Sequence, residues 1–358
     1  MKVIILGDGI VSLALAKTLV NEGIQVDLVN NYNVKSINKN RTLGITKSNI
    51  DFFNEKILDI SKLSWEINQI EIFLEKFKKK TILNFDGKKK QLFSIIKNYE
   101  LYEILDKSLK KNRLFKRKKL ASTKFINNTN HEIIINCDAN SLLTKKFFYK
   151  KTKKNYQSIA YVSTIKHKKI IQNNISYQIF TKFGPIAFLP ISENETSIVY
   201  SVKKDNSLNL DKIENLIKKY NPKYSIIKIE KIENFELISS NLKSYYHKNI
   251  LAFGDLLHRI HPLAGQGFNM TIRDIQVFYK IIKDRIDLGL EINSSIFVDF
   301  EENLKHKNYI FSSGVDFLYE FFALESNIQD KKLGKIIEFF GKNQSINKFF
   351  KKIADRGI

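Results

Sequence analysis

The sequence predicts a mixed α/β (α+β) fold: a parallel sheet covered by helices, interrupted by a mainly antiparallel sheet and closed by C-terminal helices. Three observations carry this expectation. Residues 2–29 run strand, glycine turn, helix, strand. Residues 155–235 change to short β-branched and aromatic runs, and helical spacing dominates after Phe268. A chain of 358 residues has room for two or three such structural units.

The opening strand is Lys2 to Leu6, followed by a glycine turn at Gly7, a helix reaching Asn21 and a second strand over 26–29, a βαβ start of Rossmann-like type. Next, the spacing of Phe52, Phe53, Ile57, Leu58, Leu63 and Ile67 predicts a helix within 50–75. A strand follows over 81–85, with Asp86-Gly87 marking a hairpin. Residues 99–109 have amphipathic helical spacing, and 132–137 form a short apolar strand. The antiparallel region contains strands over 158–165, 175–181, 186–189 and 196–202, then a helix over 209–220 ended by Asn221-Pro222. Residues 250–253 return as a buried strand. Gly289, Gly314, Gly334 and Gly341 are expected breaks in the helical end.

Composition narrows the function classes. The chain is 43% hydrophobic with no uninterrupted apolar run of the ~20 residues a membrane span needs, so a soluble protein is expected. No basic region and apolar run precede the first strand, and the single cysteine, Cys137, cannot form an internal disulfide; both fit the cytoplasm. The formal net charge of +23 invites an anionic partner. Only 7 of the 60 basic residues are Arg, however, and the lysines are scattered among Asn and Ile, which argues against a nucleic-acid groove. Biased composition and attraction to a membrane surface both remain open.

Gly7-Asp8-Gly9-Ile10-Val11-Ser12 has the Gly-x-Gly-x-x-small pattern where a strand becomes a helix. Gly7 permits the tight turn, Gly9 lets backbone N–H groups approach a pyrophosphate, and the small Ser12 lets the helix pack close to the strand. The acid expected about 20 residues further on, to bind a ribose, is replaced by Asn30. Asp27 lies inside the strand and is expected to point elsewhere.

A second motif spans residues 250–269, with Gly254-Asp255, Pro262 and Gly265-Gln266-Gly267-Phe268-Asn269. Three of the 14 glycines and one of the four prolines fall between 254 and 267, so the stretch is not a product of overall composition. The Asp255 carboxylate can accept hydrogen bonds from sugar-like hydroxyls. The glycines expose N–H groups at a helix start able to stabilise a reduced flavin ring.

This second motif resembles the Gly-Asp-x-x-His-x-x-x-Pro-x-x-Gly-x-Gly-x-Asn signature of FAD-dependent aromatic hydroxylases. His261 to Asn269, with Arg273-Asp274, is similar to the ubiquinone-biosynthesis hydroxylases in particular. The resemblance implies that Asp255 binds the ribityl chain and that Pro262 to Asn269 line the flavin ring. It further implies a cofactor contact from Arg41 and a substrate-side strand carrying Pro185, Phe188, Leu189 and Pro190, with His258 nearby. The family's Asp-Gly segment stands here as Cys137-Asp138-Ala139, with Asp138 keeping its place and Ala139 resisting any positive φ. His258 and His261 have the spacing of a metal pair but no third ligand near them in sequence, so no metal is expected. Residues 333–353 carry basic amphipathic helices that suit either a membrane surface or packing on the body.

The domains expected on this basis are an FAD-binding unit of residues 1–80, 95–150 and 245–305, a substrate-binding β-sheet unit of 81–94 and 151–244, and a helical segment of 306–358. By resemblance, NAD(P)H reduces FAD, and O2 enters through a C4a-hydroperoxyflavin to hydroxylate a lipophilic polyprenyl phenol. Peripheral contact with the inner membrane and a ubiquinone-biosynthesis assembly follow as further expectations. Asn30 and the altered Asp138 segment keep alternatives open: a flavin-binding accessory or degenerate paralogue without hydroxylation, or another FAD-dependent phenol hydroxylase. A nicotinamide dehydrogenase would use the first motif alone, and the second motif argues against it.

Overall fold

The structure is a computed structural model and describes residues 2–30, 40–75, 81–87, 90–119, 133–204, 208–261 and 265–327. In chain order the elements are β1 (Lys2–Leu6), α1 (Ile10–Asn21), β2 (Gln25–Asn30), β3 (Thr42–Thr46), α2 (Lys47–Phe52), β4 (Trp65–Ile67), β5 (Gln69–Leu74), β6 (Thr81–Asp86), β7 (Phe93–Lys97) and α3 (Asn98–Lys110). They continue with β8 (Phe115–Lys119), β9 (Ile133–Asn136), α4 (Leu142–Phe147), β10 (Lys151–His167), β11 (Ile175–Thr181), β12 (Gly184–Pro190), β13 (Glu195–Lys203) and α5 (Leu210–Tyr220). The last are β14 (Ile226–Ile229), β15 (Glu233–Leu242), β16 (Tyr246–His247), β17 (Ile250–Ala252), β18 (His258–Arg259), α6 (Gln266–Asp287) and α7 (Ile296–Asn327).

The first sheet runs β16-β17-β9-β1-β2-β8, parallel except for β16. Its two central strands are mostly apolar because both faces are covered: Val3, Ile4, Ile5 and Ile133, Ile134, Ile135 are all buried. The chain moves from β1 to β2 on one side and later to β9 on the other, so strand order switches direction at β1. Sheets of this kind bind ligands outside the carboxyl ends of the strands at such a point. Phe253, Phe278 and Phe300 bring α6 and α7 onto this core with ring centroids 5.5–5.9 Å apart. All three rings are fully buried, and each contributes about 1.5–3 kcal/mol by removal from water.

The second sheet follows β18-β15-β10-β13-β12-β11-β5-β6, with β14 also pairing β10; apart from the parallel β5–β11 pair it is antiparallel. The 17-residue β10 spans the sheet, shifting register in its pairing with β15 between Asn155 and Ile159. Helix α5, capped by Asn209, places Ile213, Leu216, Ile217 and Tyr220 on the core formed with Ile186, Phe188, Ile198 and Tyr200. A small antiparallel sheet, β3-β7-β4, stands beside these two.

Several local expectations are corrected. Within 50–75, the helix that starts at Lys47 ends by Leu58, whose φ of −163° is extended, and a 3-10 turn over Ser61–Leu63, β4 and β5 follow. Alternation in Gln69-Ile70-Glu71-Ile72-Phe73 wins there over the helical spacing of the earlier apolar residues. The sheet boundary therefore falls at Gln69 rather than at residue 81. Asp86-Gly87 is not a hairpin tip: β6 pairs back onto β5, β7 pairs β3 and β4, and Gly87 N–H donates to Asn68 O. Gly289 does separate α6 from α7, with φ +66°, whereas Gly314 lies inside α7. A single exposed helical glycine costs about 1 kcal/mol, which a 32-residue helix docked on a core absorbs. Gly334, Gly341 and the amphipathic stretch 333–353 lie outside the described residues. No helix among the described residues is long and apolar enough to cross a membrane.

Candidate functional site

Three loops leave the parallel sheet side by side at its carboxyl edge: the Gly7 turn after β1, Cys137-Asp138 after β9 and Gly254-Asp255 after β17. Hydrogen bonds continue the sheet into them. Gly7 N–H donates to Val29 O at 3.0 Å, Cys137 N–H to Leu6 O at 2.9 Å and Phe253 N–H to Asn136 O at 2.9 Å. Gly7 has φ +112°, and a Cβ there would meet Ser12 Oγ at 3.2 Å and backbone of Cys137 and Asp138 at 3.4 Å. Gly254 has φ +66°, and its Cβ would stand 2.8 Å from Val11 Cγ1. The two sequence motifs are thus in contact, Val11 of one against Gly254 of the other.

Gly9 caps α1 with no side-chain hydrogen bond, the first turn of α1 holds no acid, and a Cβ on Gly9 would meet nothing within 4 Å. This end of the helix keeps its N–H groups and its positive dipole end for an anion. Ser12 is buried beneath it as the small packing residue. Asp255 sits in the 3-10 turn Gly254–Leu256, exposed, with no hydrogen bond or ion pair among the described residues. Both features fit a dinucleotide with polyol hydroxyls.

The Asn30 position proves more elaborate than its sequence suggests. Asn30 Nδ2 donates to Asp8 Oδ2 at 2.7 Å, and Arg117 Nη1 lies 2.8 Å from each Asp8 oxygen. The Tyr102 hydroxyl donates to Asp8 Oδ1 at 3.1 Å, while Arg117 Nη2 reaches Asp106 Oδ1 at 2.6 Å. Asp27 does point elsewhere: its buried carboxylate pairs with Lys2 Nζ at 2.9 Å and Lys118 Nζ at 2.6 Å. Burial alone would raise the Asp27 pKa, but the two lysines outweigh it and hold the carboxyl below its ordinary value.

In the second motif the side chain of Asn269 is fully employed in architecture. Its Oδ1 accepts from Thr46 N–H and Asn49 Nδ2, each at 2.9 Å, and its Nδ2 donates to Gly44 O at 2.8 Å and Gly265 O at 3.1 Å. A primary amide offers two acceptor and two donor positions, so none is left for a ligand. Asn269 is therefore corrected from a cofactor contact to a staple between β3 and the start of α6. Gly265 begins α6 at φ +64° with Gly44 backbone 3.6 Å from its Cβ position. Gln266 Oε1 is buried with no hydrogen-bond partner among the described residues, an acceptor suited to a ligand N–H. Near Gly267, the closest atom to a Cβ would be on Ile260 at 4.0 Å, and Phe268 packs half-buried against the core. Pro262 lies outside the described residues.

His258 is likewise relocated. It is 2% exposed, with Nε2 2.5 Å from Asp274 Oδ2, and Asn308 Nδ2 donates to Asp274 Oδ1 at 3.0 Å. This latch joins β18 to α6 and α7 and keeps His258 away from a substrate surface. His261 stands apart, stacked on Tyr319 at 4.1 Å and edge-on to Tyr156 at 4.8 Å; burial pushes its pKa down to about 3.

The substrate-side strand divides between two faces. Phe188 is buried in the core under α5, and Pro190 shares its parity, so these two are corrected away from the site. Leu189 points the other way, toward Ile67, Ile95 and Trp65, and Pro185 shares that face. On the same face Ser197 Oγ lies 2.8 Å from Thr42 Oγ1, tying β13 to β3 beside the exposed Arg41.

Asp138 Oδ1 accepts from Asn140 N–H at 2.8 Å, and Ser141 Oγ caps α4 by accepting from Thr144 N–H at 3.1 Å. Ala139 fits this turn, since it is not among the residues of positive φ. The adjacent Cys137 thiol is pushed up to about 12, chiefly by burial; a Ser12 hydrogen bond opposes this, and the charges of Asp255 and Asp138 add to it. The thiol is no nucleophile at neutral pH.

Sequence reasoning missed Asp8, Tyr102, Arg117, Asn49 and Asn308. One signal was available: with only 7 Arg in a Lys-rich chain, Arg117 inside the run Lys116 to Lys119 marks a position where a planar fork is used. The others become meaningful only when distant segments meet.

No family model matches the chain. It is 21% identical over 250 residues to the mitochondrial ubiquinone biosynthesis monooxygenase COQ6 of Schizosaccharomyces pombe, covering 57% of this chain and 52% of that protein. It is 27% identical over 155 residues to the 3-demethoxyubiquinol 3-hydroxylase of Escherichia coli K12, covering 41% and 40%. The chain thus spans about half, or less, of the length of these curated relatives. Among solved structures it superposes on p-nitrophenol 4-monooxygenase PnpA of Pseudomonas putida DLL-E4 with TM-score 0.78, 11% identity and coverage of 99% and 98%. It also superposes on Klebsiella pneumoniae HpxO, complexed with FAD and uric acid, with TM-score 0.77, 11% identity and coverage of 100% and 97%. The Rossmann-like domain, inserted antiparallel sheet and C-terminal helices are therefore the fold of these monooxygenases, and the sequence relatives are ubiquinone-biosynthesis hydroxylases.

Proposed function

We propose that this chain is an FAD-dependent monooxygenase that hydroxylates the aromatic ring of a polyprenyl phenol in ubiquinone biosynthesis, with NAD(P)H as reductant and O2 as co-substrate. One observation carries the flavin assignment. The uncapped start of α1 and the exposed Asp255, which has no hydrogen bond or ion pair among the described residues, share the carboxyl edge of one parallel sheet, held together by Val11 against Gly254. The relatives named above supply the substrate class.

When bound, FAD supplies reduction by NAD(P)H and the activation of O2 that ring hydroxylation requires. The chain's own residues bind and orient it. Gly7, Gly9 and the first turn of α1 take the pyrophosphate, and Ser12 lets the helix come close. Asp255 accepts from the ribityl hydroxyls. Arg41 contacts the cofactor beside β3, while Asp138 orders the neighbouring loop. Gly265, Gln266 and Gly267 present the start of α6 to the ring, with the buried Gln266 Oε1 as an acceptor; Asn269 holds this start against Gly44. Pro185 and Leu189 form the substrate-side wall, whose apolar character excludes water. FAD-binding residues come from 1–68, 90–150 and 245–305, and the antiparallel sheet supplies the substrate side. A lipophilic phenol dwells in the membrane, so the function also places the chain in the cytoplasm, peripheral to the inner membrane, within a biosynthetic assembly. The net charge of +23 supports such contact with an anionic surface.

The test is direct. Purified protein is expected to carry or take up FAD, seen in its visible spectrum, and to oxidise NAD(P)H faster when a polyprenyl phenol is added, with a hydroxylated product. A colourless protein that takes up no FAD would overturn the assignment. Bound flavin without phenol-stimulated oxidation would instead favour the accessory or degenerate form to which Asn30 and Ala139 point.

A further inference from the structure

The antiparallel sheet gives one face to α5 and the other to the small sheet and α7. On this second face, cross-strand register sets the side chains in rows that run across the strands. Val162, Val199, Ala187, Gln178 and Ile72 make one such row, each paired with the next from β10 through β13, β12 and β11 to β5. The positions two residues away on either side are covered. Toward one side Tyr319 of α7 packs on Ala160, and Pro185 and Phe180 are buried. Toward the other, Ser197 is bound to Thr42 of β3, and Leu189 packs with Ile67 and Ile95. Between them Val199, Gln178 and Ile72 stay partly exposed. The row is therefore the floor of a trough, with ~13 Å between its flanking rows. Ala187 lies midway between Pro185 and Leu189, so the trough passes through the substrate-side wall. Its floor is apolar but for Gln178, whose side chain makes no hydrogen bond among the described residues.

We propose that this trough holds the substrate lengthwise: the ring over Ala187, its oxygen at the Gln178 amide, and the polyprenyl tail across Ile72 toward the edge strand β6. This assignment rests on the polyprenyl phenol reading above, and it adds a tail path, a specificity-determining residue and a length limit. From Ala187 to β6, where the sheet ends, there are three strand spacings, ~14 Å, room for about three isoprene units. Units beyond the third leave the protein. A primary amide both donates and accepts, so Gln178 suits a ring hydroxyl; under a ring without one it would be desolvated and unsatisfied.

Trp65 packs beside Leu189 in the trough wall and is the chain's single tryptophan, so its fluorescence reports binding without turnover. Purified protein is titrated with phenol, with phenols carrying one to five isoprene units, and with geranylbenzene, which has two units and no hydroxyl. Wild type, Ile72→Asn, Ile72→Ala and Gln178→Leu are compared, and circular dichroism reports folding of each. In wild type each of the first three units is expected to tighten binding about fivefold, and the fourth and fifth less than about twofold each. Ile72→Asn is expected to weaken the three-unit phenol about fivefold more than phenol itself. Gln178→Leu is expected to weaken geranylphenol at least about fivefold relative to geranylbenzene. Affinity that rises evenly through the fifth unit, or not at all with tail length, would overturn the proposal. So would Ile72 variants that fold and keep the full gain from the tail, or a Gln178→Leu protein that discriminates geranylphenol from geranylbenzene as wild type does. If Ile72→Asn does not fold, Ile72→Ala decides. A wild type that binds no phenol of any length would overturn the polyprenyl phenol reading itself, a result distinct from all of these.

Discussion

The two glycine motifs meet at Val11 and Gly254, yet they use their polar side chains in opposite ways. Around the first, Asp8, Asn30, Tyr102, Arg117 and Asp106 form a half-buried charged cluster at the edge of the ligand turn. Around the second, Asn269 and His258, which look ligand-like, are buried and bonded within the protein, Asn269 at every position and His258 through Nε2. Asn269 makes four hydrogen bonds, two of them to β3, and His258 is latched to Asp274, which Asn308 holds in turn. The contrast shows that a motif letter can mark architecture rather than contact. In the second motif the parts left for the proposed ligand are an exposed carboxylate, a buried amide oxygen and glycine backbone.

The strongest test of that contrast is Asn269→Asp, which preserves shape but sets acceptor against acceptor at Gly44 O and Gly265 O. Losing buried hydrogen bonds and leaving polar groups unsatisfied costs about 1–3 kcal/mol for each group, so a loss of about 3 kcal/mol is expected. Urea unfolding of cofactor-free protein measures it. A variant within about 0.5 kcal/mol of wild type would return Asn269 to the list of ligand contacts.

A second, smaller effect should follow pH. His261 is buried neutral among Tyr156 and Tyr319, with its pKa lowered from 6.5 to about 3. Because the unfolded chain takes up this proton first, the contribution is fully present above pH 6.5 and is lost as pH falls toward 3. The slope from this group is at most about 1.4 kcal/mol per pH unit. Melting temperatures between neutral and mildly acidic pH should therefore fall less steeply in His261→Phe than in wild type. Parallel curves would mean that the His261 site admits a proton, and that the second motif is less dry than the first is charged.

How much of this was legible in the sequence depends on the range of the interactions. The βαβ start, the strands 175–181 and 250–252 and the helix capped by Asn209 come from local periodicity and turn chemistry, and they stand as expected. The segment 50–75 misled because a helical spacing at its start runs into a two-residue alternation at Gln69, and pairing of β5 with β11, about a hundred residues away, decides the outcome. Gly7, Gly254 and Gly265 were legible because glycine answers to local backbone need, each standing at positive φ. Asn269 was legible as important but not as a staple, since its partners Gly44, Thr46 and Asn49 lie more than 200 residues earlier. Phe188 was misplaced for a simpler reason: the face of a strand cannot be told until it is known which side a helix covers.

Asp255→Ala should have the least effect on stability and a large effect on ligand, which separates it from both neighbours in its motif. Its carboxylate is exposed and makes no hydrogen bond or ion pair among the described residues, so unfolding free energy should change by less than about 0.5 kcal/mol. Flavin retention, by contrast, should fall at least tenfold, because charge-assisted hydrogen bonds to the ribityl hydroxyls disappear. Absorbance of the purified variant and a urea titration of the cofactor-free chain measure the two halves independently. An Asp255→Ala protein with full flavin content would remove the residue from the site. One that loses both flavin and stability would show that Asp255, like Asn269, belongs to the frame.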